Sequence, residues 1–517
     1  MDCAIVRLRK ATLIPFTRIP DESDGGVRAP KKRRGRRAET ADLLVRLAAH
    51  VTLEVRDGGQ TFASFHGYSI GLGTFDASVA TRAQTLRAGL PLATLARGRR
   101  SDRGIDALVR RLARRNLVEY WLRGPDGADL LAIEPQVPDY WPQAVRLRTR
   151  DALVLSRFAY LRRRGNDLVL ESPRAAALLR ICDPNIAGVL AKLSTPQTVV
   201  QLRRLKGFQG ALFLGVLVDC RFAFTVDTKS NENLRSAEGD DDLVLWDFHD
   251  LLFHSRSTEG RHANPLGGTF PHAGMIAPLP VVRPSWPGKS IDLRGFLTRE
   301  REVKSAVAEI LRKRHSVRNF DEQRPITLAE LSQFLAGAAR ILSKPKDAAN
   351  AADAGGEADY APRPYPSAGA SYELELYLAV NTCEGLPRGF YYYDADGHAL
   401  VAIDVAGNAL DASLVAAGSA MGVQTPPQIL ITIAARFGRI SWKYSSLAYS
   451  LVLKDVGVVL QTFYLMATDL DLGGCAVGIA NIDLFAKMTG IEFHVEGPVG
   501  QFALGRGTET AATPPNT

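Results

Sequence analysis

The sequence predicts an α+β protein: a large carboxy-terminal domain of alternating helices and strands, preceded by two smaller units of strand pairs and short helices. Three observations predict it. Residues 291–506 change hydrophobic period repeatedly, from the helical spacing of Val303, Val307, Ile310 and Leu311 to the strand-like alternation of Gln428 to Ala435. Residues 41–250 run through one order of elements twice. Residues 251–290, with Pro278-Leu279-Pro280 and Pro284-Ser285-Trp286-Pro287, read as an extended Pro/Gly linker between the two zones.

At 517 residues the chain is long enough for several domains. Residues 1–40 read as a disordered basic arm. Arg28, Lys31, Lys32, Arg33, Arg34, Arg36 and Arg37 place seven positive charges in one acid-free run, so the net charge of +9 leaves only +2 for the rest. That concentration argues against a nucleic-acid surface on the folded part. In the first unit, residues 41–140, a strand at Val51 to Val55 turns at Asp57-Gly58-Gly59 and returns. Two helices follow, the second at Ile105 to Arg115, and the unit closes on Leu117 to Trp121. In the second unit, residues 141–250, a strand pair turns at Gly165-Asn166. Helices are expected over Arg174 to Ile181 and Asn185 to Leu193, and a strand over Phe222 to Val226. This is the order of winged-helix-like units. The apolar segment Phe208 to Cys220 suits packing or peptide docking; Arg110, Arg111, Arg114 and Arg115 keep a DNA-binding reading open.

In the carboxy-terminal domain, Arg314-His315-Ser316-Val317-Arg318-Asn319-Phe320 lies between two helices, the second opened by a capping box at Thr327 and Glu330. In an extended segment Arg314, Ser316 and Arg318 project to one side. Two guanidiniums around a hydroxyl suit an anion, because the planar fork takes phosphate oxygens in pairs; such arginines are equally at home in water or beside a carboxylate. Ala348 to Ala361 reads as a mobile loop. Pro364-Tyr365-Pro366-Ser367-Ala368-Gly369-Ala370 is a stiff turn opening onto small residues, where a flat ring can approach the backbone. Glu373 to Val380 is a strand, and Gly389-Phe390-Tyr391-Tyr392-Tyr393 begins a hairpin that turns at Asp394-Ala395-Asp396-Gly397. Lys443-Tyr444 leaves the end of another strand: acid–base equipment in a site, a surface Lys and amphipathic Tyr otherwise. Tyr449 to Leu470 is a helix apolar around most of its circumference, as in a large core or a subunit interface. Leu472 to Ala480 is a Gly-punctuated strand. Pro498 to Leu504 is the last, leading to Arg506, which can complete a phosphate cage, and to a polar tail over residues 507–517.

Five dispersed cysteines without C-x-x-C or His/Cys ligand spacing predict no metal site. No G-x-G-x-x-G opens a βαβ unit and no P-loop is present. The longest apolar stretch is broken by Lys454-Asp455, so no membrane span is expected. With no apolar signal region at the amino terminus, a cytoplasmic location is the expectation.

Together, Arg314 to Phe320, Pro364 to Gly369, Gly389 to Asp394, Lys443-Tyr444 and Leu472 to Gly478 resemble the flavin-dependent nitroreductase superfamily, and within it the SagB-type peptide dehydrogenases, the azoline oxidases of thiazole and oxazole peptide biosynthesis. The resemblance covers roughly residues 300–506. It implies a nitroreductase-like α+β domain with a central mixed sheet flanked by helices and a long buried helix at a homodimer interface. It also implies FMN, bound by Arg314, His315, Ser316 and Arg318 around the phosphate and pyrimidine side, with Arg506 closing the phosphate. Pro366, Ser367, Ala368 and Gly369 would lie against the ring from the partner subunit, Gly478 and Ile479 would face it, and Lys443 and Tyr444 match the catalytic pair. One departure is Tyr449-Ser450, where many relatives have Tyr-Arg, which leaves the contacts bordering the substrate open. The implied activity is oxidation of azoline rings on a ribosomal precursor peptide, beside a cyclodehydratase partner. Alternatives are an NAD(P)H-dependent nitro- or quinone-reductase, and a non-catalytic scaffold of a peptide-modifying complex.

Overall fold

The computed structural model describes residues 42–508, apart from residues 66, 96–102, 144, 206–207, 209, 230–232, 263–267, 284–286, 297–304 and 344–360. The basic run at 28–37, nearly all of the loop at 348–361 and the tail beyond 508 therefore lie outside the described residues.

The two amino-terminal units share a sheet. Its seven strands lie in the order Leu90–Pro91, Asp42–Leu47, Val118–Arg123, Asp129–Pro135, Ala177–Ile181, Asp167–Glu171 and Tyr160–Arg164. Asp129–Pro135 of the first unit pairs antiparallel with Ala177–Ile181 of the second, so the boundary expected at 140/141 crosses one continuous sheet. The helix expected at Arg174 to Ile181 is a correction. Ala177–Ile181 is a central strand, with Ala177, Leu178 and Leu179 buried, and a short apolar run reads alike as buried strand or helix. Two three-stranded sheets and the helices Asn185–Lys192 and Ala211–Asp219 close a single amino-terminal core. Two of the arginines that kept DNA binding open are exposed but engaged by neighbouring groups of the fold. Arg110 pairs with Asp106 at 3.1 Å and lies over the Trp141 ring, and Arg111 donates to the Leu72 carbonyl.

The carboxy-terminal sheet has the order Ala399–Ile403, Gly389–Asp394, Leu374–Val380, Ile429–Arg436, Glu496–Gly505 and Gly473–Val477. Its named pairs are antiparallel; parallel pairing enters through isolated bridges at Glu259–Asn481 and Thr327–Glu384. The central strands are covered on both faces, which is why Leu374–Val380 is buried throughout. Helices Leu328–Ala338 and Ala448–Asp469 cover one face, where Phe334, Phe463 and Phe502 stack. Helices Gly407–Met421 and Ile482–Thr489 cover the other. By length and composition Ala448–Asp469 alone among the described helices would suffice to cross a membrane, against the expectation from Lys454-Asp455. Its contacts make it a core helix: Val452, Val456, Val459 and Phe463 are buried against the domain core while Leu453, Val458 and Leu460 on its flanks are half-buried.

The linker expected from residue 251 begins later. Helix Phe248–Ser257 packs its Leu251 and His254 into the carboxy-terminal domain. There Trp246, His254, Phe437, Tyr449 and Phe493 form one ring cluster, Trp246 Nε1 donates to the His494 carbonyl at 2.7 Å, and Arg261 pairs with Asp483 at 2.9 Å. Burial pulls the His254 imidazole down to about 3. The unfolded chain protonates this histidine below roughly 6.5. The native state thus binds fewer protons between the two values, and stability is lost as pH falls through that window. The limiting slope is roughly 1.4 kcal/mol per pH unit. Chemical denaturation at a series of pH values checks this: His254→Phe should flatten the acid fall, and an unchanged slope would count against a buried neutral His254.

Candidate functional site

Helix Ala306–Lys313 is capped by Ser305, and the chain leaves it extended at Arg314. Val317 N–H donates to the Gly474 carbonyl at 2.9 Å, laying residues 314–319 along the edge of strand Gly473–Val477. The close approach needs Gly473, where a Cβ would fall 2.6 Å from Val317 Cγ1. Tyr464 of the long helix organises this stretch. Its hydroxyl accepts from Ala476 N–H at 2.9 Å and lies 2.8 Å from Ser316 Oγ, and the Arg314 guanidinium sits 5.0 Å from its ring centre. Arg318 is exposed and neighbours the buried Cys475 thiol, which burial pushes up. Among the described residues no carboxylate pairs with Arg314 or Arg318. His315 is exposed, its Nδ1 3.1 Å from the Lys313 carbonyl. Arg506 is already engaged: its guanidinium meets Glu330 at 2.5 Å, and its N–H donates to Gln428. Burial alone would raise the Glu330 carboxyl, yet the Thr327 N–H and Arg506 hold it below the usual range.

The second group of residues gathers where strand Ile429–Arg436 ends. Helix Phe437–Ser441 follows, anchored by buried Phe437 and Ile440, and the Lys443 and Tyr444 amides both donate to the Ile440 carbonyl. This turns the two side chains toward the Pro366–Gly369 turn. Lys443 Nζ donates to the Gly369 carbonyl at 2.9 Å. A Cβ on Gly369 would lie 2.2 Å from the Tyr444 hydroxyl and 2.7 Å from Lys443 Nζ, so the pair closes over a residue where glycine, at φ +55°, is strongly favoured. A cavity of about 460 Å³ opens beside them, lined by Gly369, Arg436, Arg439, Trp442, Lys443 and, from the amino-terminal region, Asp242. The turn itself is pinned from below: Ser367 Oγ donates to Asp455 at 2.9 Å and lies 3.2 Å from Glu373, and Ala368 N–H donates to Asp455 at 2.8 Å.

One chain does not bring the two groups together. Residues 314–318 flank Gly474, which is level with Leu504 and Ile429; Glu373 and the turn lie at the Ala435 end of the same strand. Six residues of strand separate the ends by roughly 20 Å. Gly478 is exposed, with open space where a Cβ would stand, and Ile479 lines a separate small cleft with Phe390 and Phe485. Tyr449 is buried with its hydroxyl 3.1 Å from His254 Nδ1, so it serves the junction between the two regions of the chain. Sequence reasoning missed Asp455, Glu373, Tyr464, Glu330 and Asp242. A carboxylate and a phenol within an otherwise apolar helix were the available signal for Asp455 and Tyr464.

The basic, glycine-lined and Lys-Tyr edges lie on one helix-covered sheet, and comparison gives its family. Residues 311–506 match the model of the nitroreductase family, and residues 153–263 that of the cyanobactin oxidase ThcOx. A putative nitroreductase of Methanocaldococcus jannaschii is 36% identical over 172 residues, which cover 33% of this chain and 77% of that protein. The chain belongs to the nitroreductase family. Its combination of a cyanobactin-oxidase segment with a nitroreductase domain supports the SagB-type branch. Among solved structures, a putative nitroreductase from Ralstonia eutropha is 20% identical with a TM-score of 0.31, covering 41% of this chain and 88% of that one. A chain of the E. coli microcin synthetase McbBCD complex, with truncated pro-MccB17 bound, is 18% identical with a TM-score of 0.38, covering 55% of this chain and all of that one.

The closure over Gly369 is testable. Gly369→Ala should destabilise by about 1–3 kcal/mol from backbone strain plus the clash. Pairing it with Lys443→Ala and Tyr444→Ala should return the clash part in thermal melts. Strict additivity would mean the three residues do not touch.

Proposed function

We propose that the protein is an FMN-dependent dehydrogenase that oxidises azoline rings of a ribosomally made peptide to thiazoles or oxazoles. The observation that carries this reading is the Lys443–Tyr444 pair closed on Gly369 beside a cavity of about 460 Å³. The residues fit FMN. Two guanidiniums with no carboxylate partner among the described residues flank the Ser316 hydroxyl, which suits a phosphate, and Gly478 leaves open backbone for a flat ring. Arg314, Ser316 and Arg318 would hold the phosphate and pyrimidine side, and Pro366, Ser367, Ala368 and Gly369 the ring. Arg506, which pairs with Glu330 in the single chain, would close the phosphate from the strand end. When bound, FMN supplies a two-electron acceptor for a hydride.

The residues of the chain supply position and proton transfer. Tyr444, with Lys443 beside it, takes the proton from the α-carbon of the ring, and the cavity holds that ring in line. Since the two halves of the site lie roughly 20 Å apart in one chain, the reading includes a homodimer, each site combining residues 314–318 of one subunit with the Gly369 turn of the other. The half-buried Leu453, Val458 and Leu460 on the flanks of helix Ala448–Asp469 suit that contact. The amino-terminal region reaches the cavity through Asp242, and it would hold the precursor peptide and raise the effective concentration of each ring. A cyclodehydratase partner would supply the azoline.

Incubating the FMN-loaded protein with an azoline-bearing peptide under air should remove two hydrogens per ring by mass. Lys443→Ala or Tyr444→Phe should slow this by about 10²–10⁴-fold; Arg318→Ala should instead weaken FMN retention. Unchanged peptide mass would sink the reading. The Methanocaldococcus relative favours a reductase alternative, which rapid flavin bleaching by NAD(P)H alone would support.

A further inference from the structure

Glu373 and Asp455 lie beneath the Gly369 turn, and their surroundings set a constraint on protons. Glu373 is fully buried and Asp455 is 6% exposed. Both approach the same hydroxyl: Ser367 Oγ is 3.2 Å from Glu373 Oε2 and 2.9 Å from Asp455 Oδ2. That oxygen also accepts from Tyr372 N–H at 2.9 Å. A serine hydroxyl has one proton to give and two lone pairs. It can donate to one carboxylate; with one lone pair taken by Tyr372, it meets the other carboxyl favourably only by accepting a proton from it.

Charge balance points the same way. Among the described residues no cation pairs with Glu373 or Asp455. Of the nearby cations, Arg363 turns to Glu375 and the Leu374 carbonyl, Arg436 to Glu375 and Lys443 to the Gly369 carbonyl, while Arg439 donates to the Ser371 carbonyl. Tyr365 and Tyr372 precede the strand on the same loop, and Tyr444 stands beyond Gly369. Glu373 Oε1 is buried without a hydrogen-bond partner among the described residues. Two carboxylates in one dry site cannot both ionise at low cost.

We propose that Glu373 and Asp455 share a single proton and that this proton makes them positioning residues: it holds Ser367 and Ala368 in place, and so sets the Gly369 carbonyl and φ that seat Lys443 and Tyr444. The functional half of this inference rests on the reading of Lys443 and Tyr444 given above; the shared proton does not. Burial and the Asp455 charge push the Glu373 carboxyl up to about 7. A carboxyl raised from roughly 4.5 contributes its full stabilisation below that value and loses it as pH rises through about 7. Above neutrality the shared proton is lost, Ser367 can satisfy only one of the two carboxyls, and the turn loosens.

Infrared difference spectroscopy on the full-length protein, with ¹³C-labelled glutamate or aspartate in the wild type, reads the proton without substrate or variant. A carboxylic-acid C=O band should bleach as pH is raised through neutrality, shift with one of the labels, and disappear in Glu373→Gln. Thermal melts should show the stability of wild type falling relative to Glu373→Gln as pH rises from about 4.5 to about 7, the window between the ordinary and raised values. In turnover of the azoline peptide, Glu373→Gln and Asp455→Asn should flatten the alkaline limb of kcat, whereas Glu373→Ala should lower kcat at every pH. Absence of the acid band in wild type, or a band indifferent to both labels, overturns the shared proton. A band present with an unchanged alkaline limb overturns its positioning role. A peptide that is never oxidised, with the band present, instead indicts the proposed function.

Discussion

The candidate site depends on two polar side chains in one apolar helix. Ala448–Asp469 packs against the sheet through Val452, Val456, Val459 and Phe463, and burial of that stripe fixes its register. Asp455 and Tyr464 ride on the same helix. Asp455 ties down the Ser367–Gly369 turn, and Tyr464 ties down Ser316 and Ala476. A small rotation of this helix would therefore disturb both halves of the site at once. Buried polar groups are costly when unpaired, so the hydrophobic packing and the hydrogen bonds enforce the same placement.

A second constraint joins the amino-terminal region to the site. The ring cluster of Trp246, His254, Phe437, Tyr449 and Phe493 spans the segment that matches the cyanobactin oxidase model and the domain that matches the nitroreductase model. Phe437 opens the short helix that carries Lys443 and Tyr444 to Gly369. Packing at the junction is thus continuous with the placement of the Lys-Tyr pair, and Asp242 carries the amino-terminal region into the cavity itself. In the reading proposed above, substrate capture and ring oxidation occupy one packed body.

Much of this was legible in the sequence. The capping box at Thr327 and Glu330, the hairpin after Gly389 and the long helix all obey local rules, and each stands where periodicity put it. The family resemblance drew on Arg314–Phe320, Pro364–Gly369, Gly389–Asp394, Lys443-Tyr444 and Leu472–Gly478, and the family match bears it out. What escaped was set by tertiary contact. Ala177–Ile181 is a strand because two neighbouring strands claim its backbone, which its apolar composition cannot reveal. The Arg506–Glu330 pair joins residues 176 apart in the chain, and a capping-box glutamate gives no sign of a second duty. Glu373 looked like one more residue leading into a strand; only the fold sets it against Asp455.

In the proposed enzyme the Lys443–Tyr444 edge and the Arg314–Arg318 edge would build one flavin site that oxidises an azoline-bearing peptide. Anaerobic rapid mixing of the FMN-loaded, full-length protein with such a peptide tests it most directly. The expected result is bleaching of the flavin absorbance by the peptide alone, lost in Lys443→Ala while FMN stays bound. Bleaching by NAD(P)H but not by the peptide would contradict it.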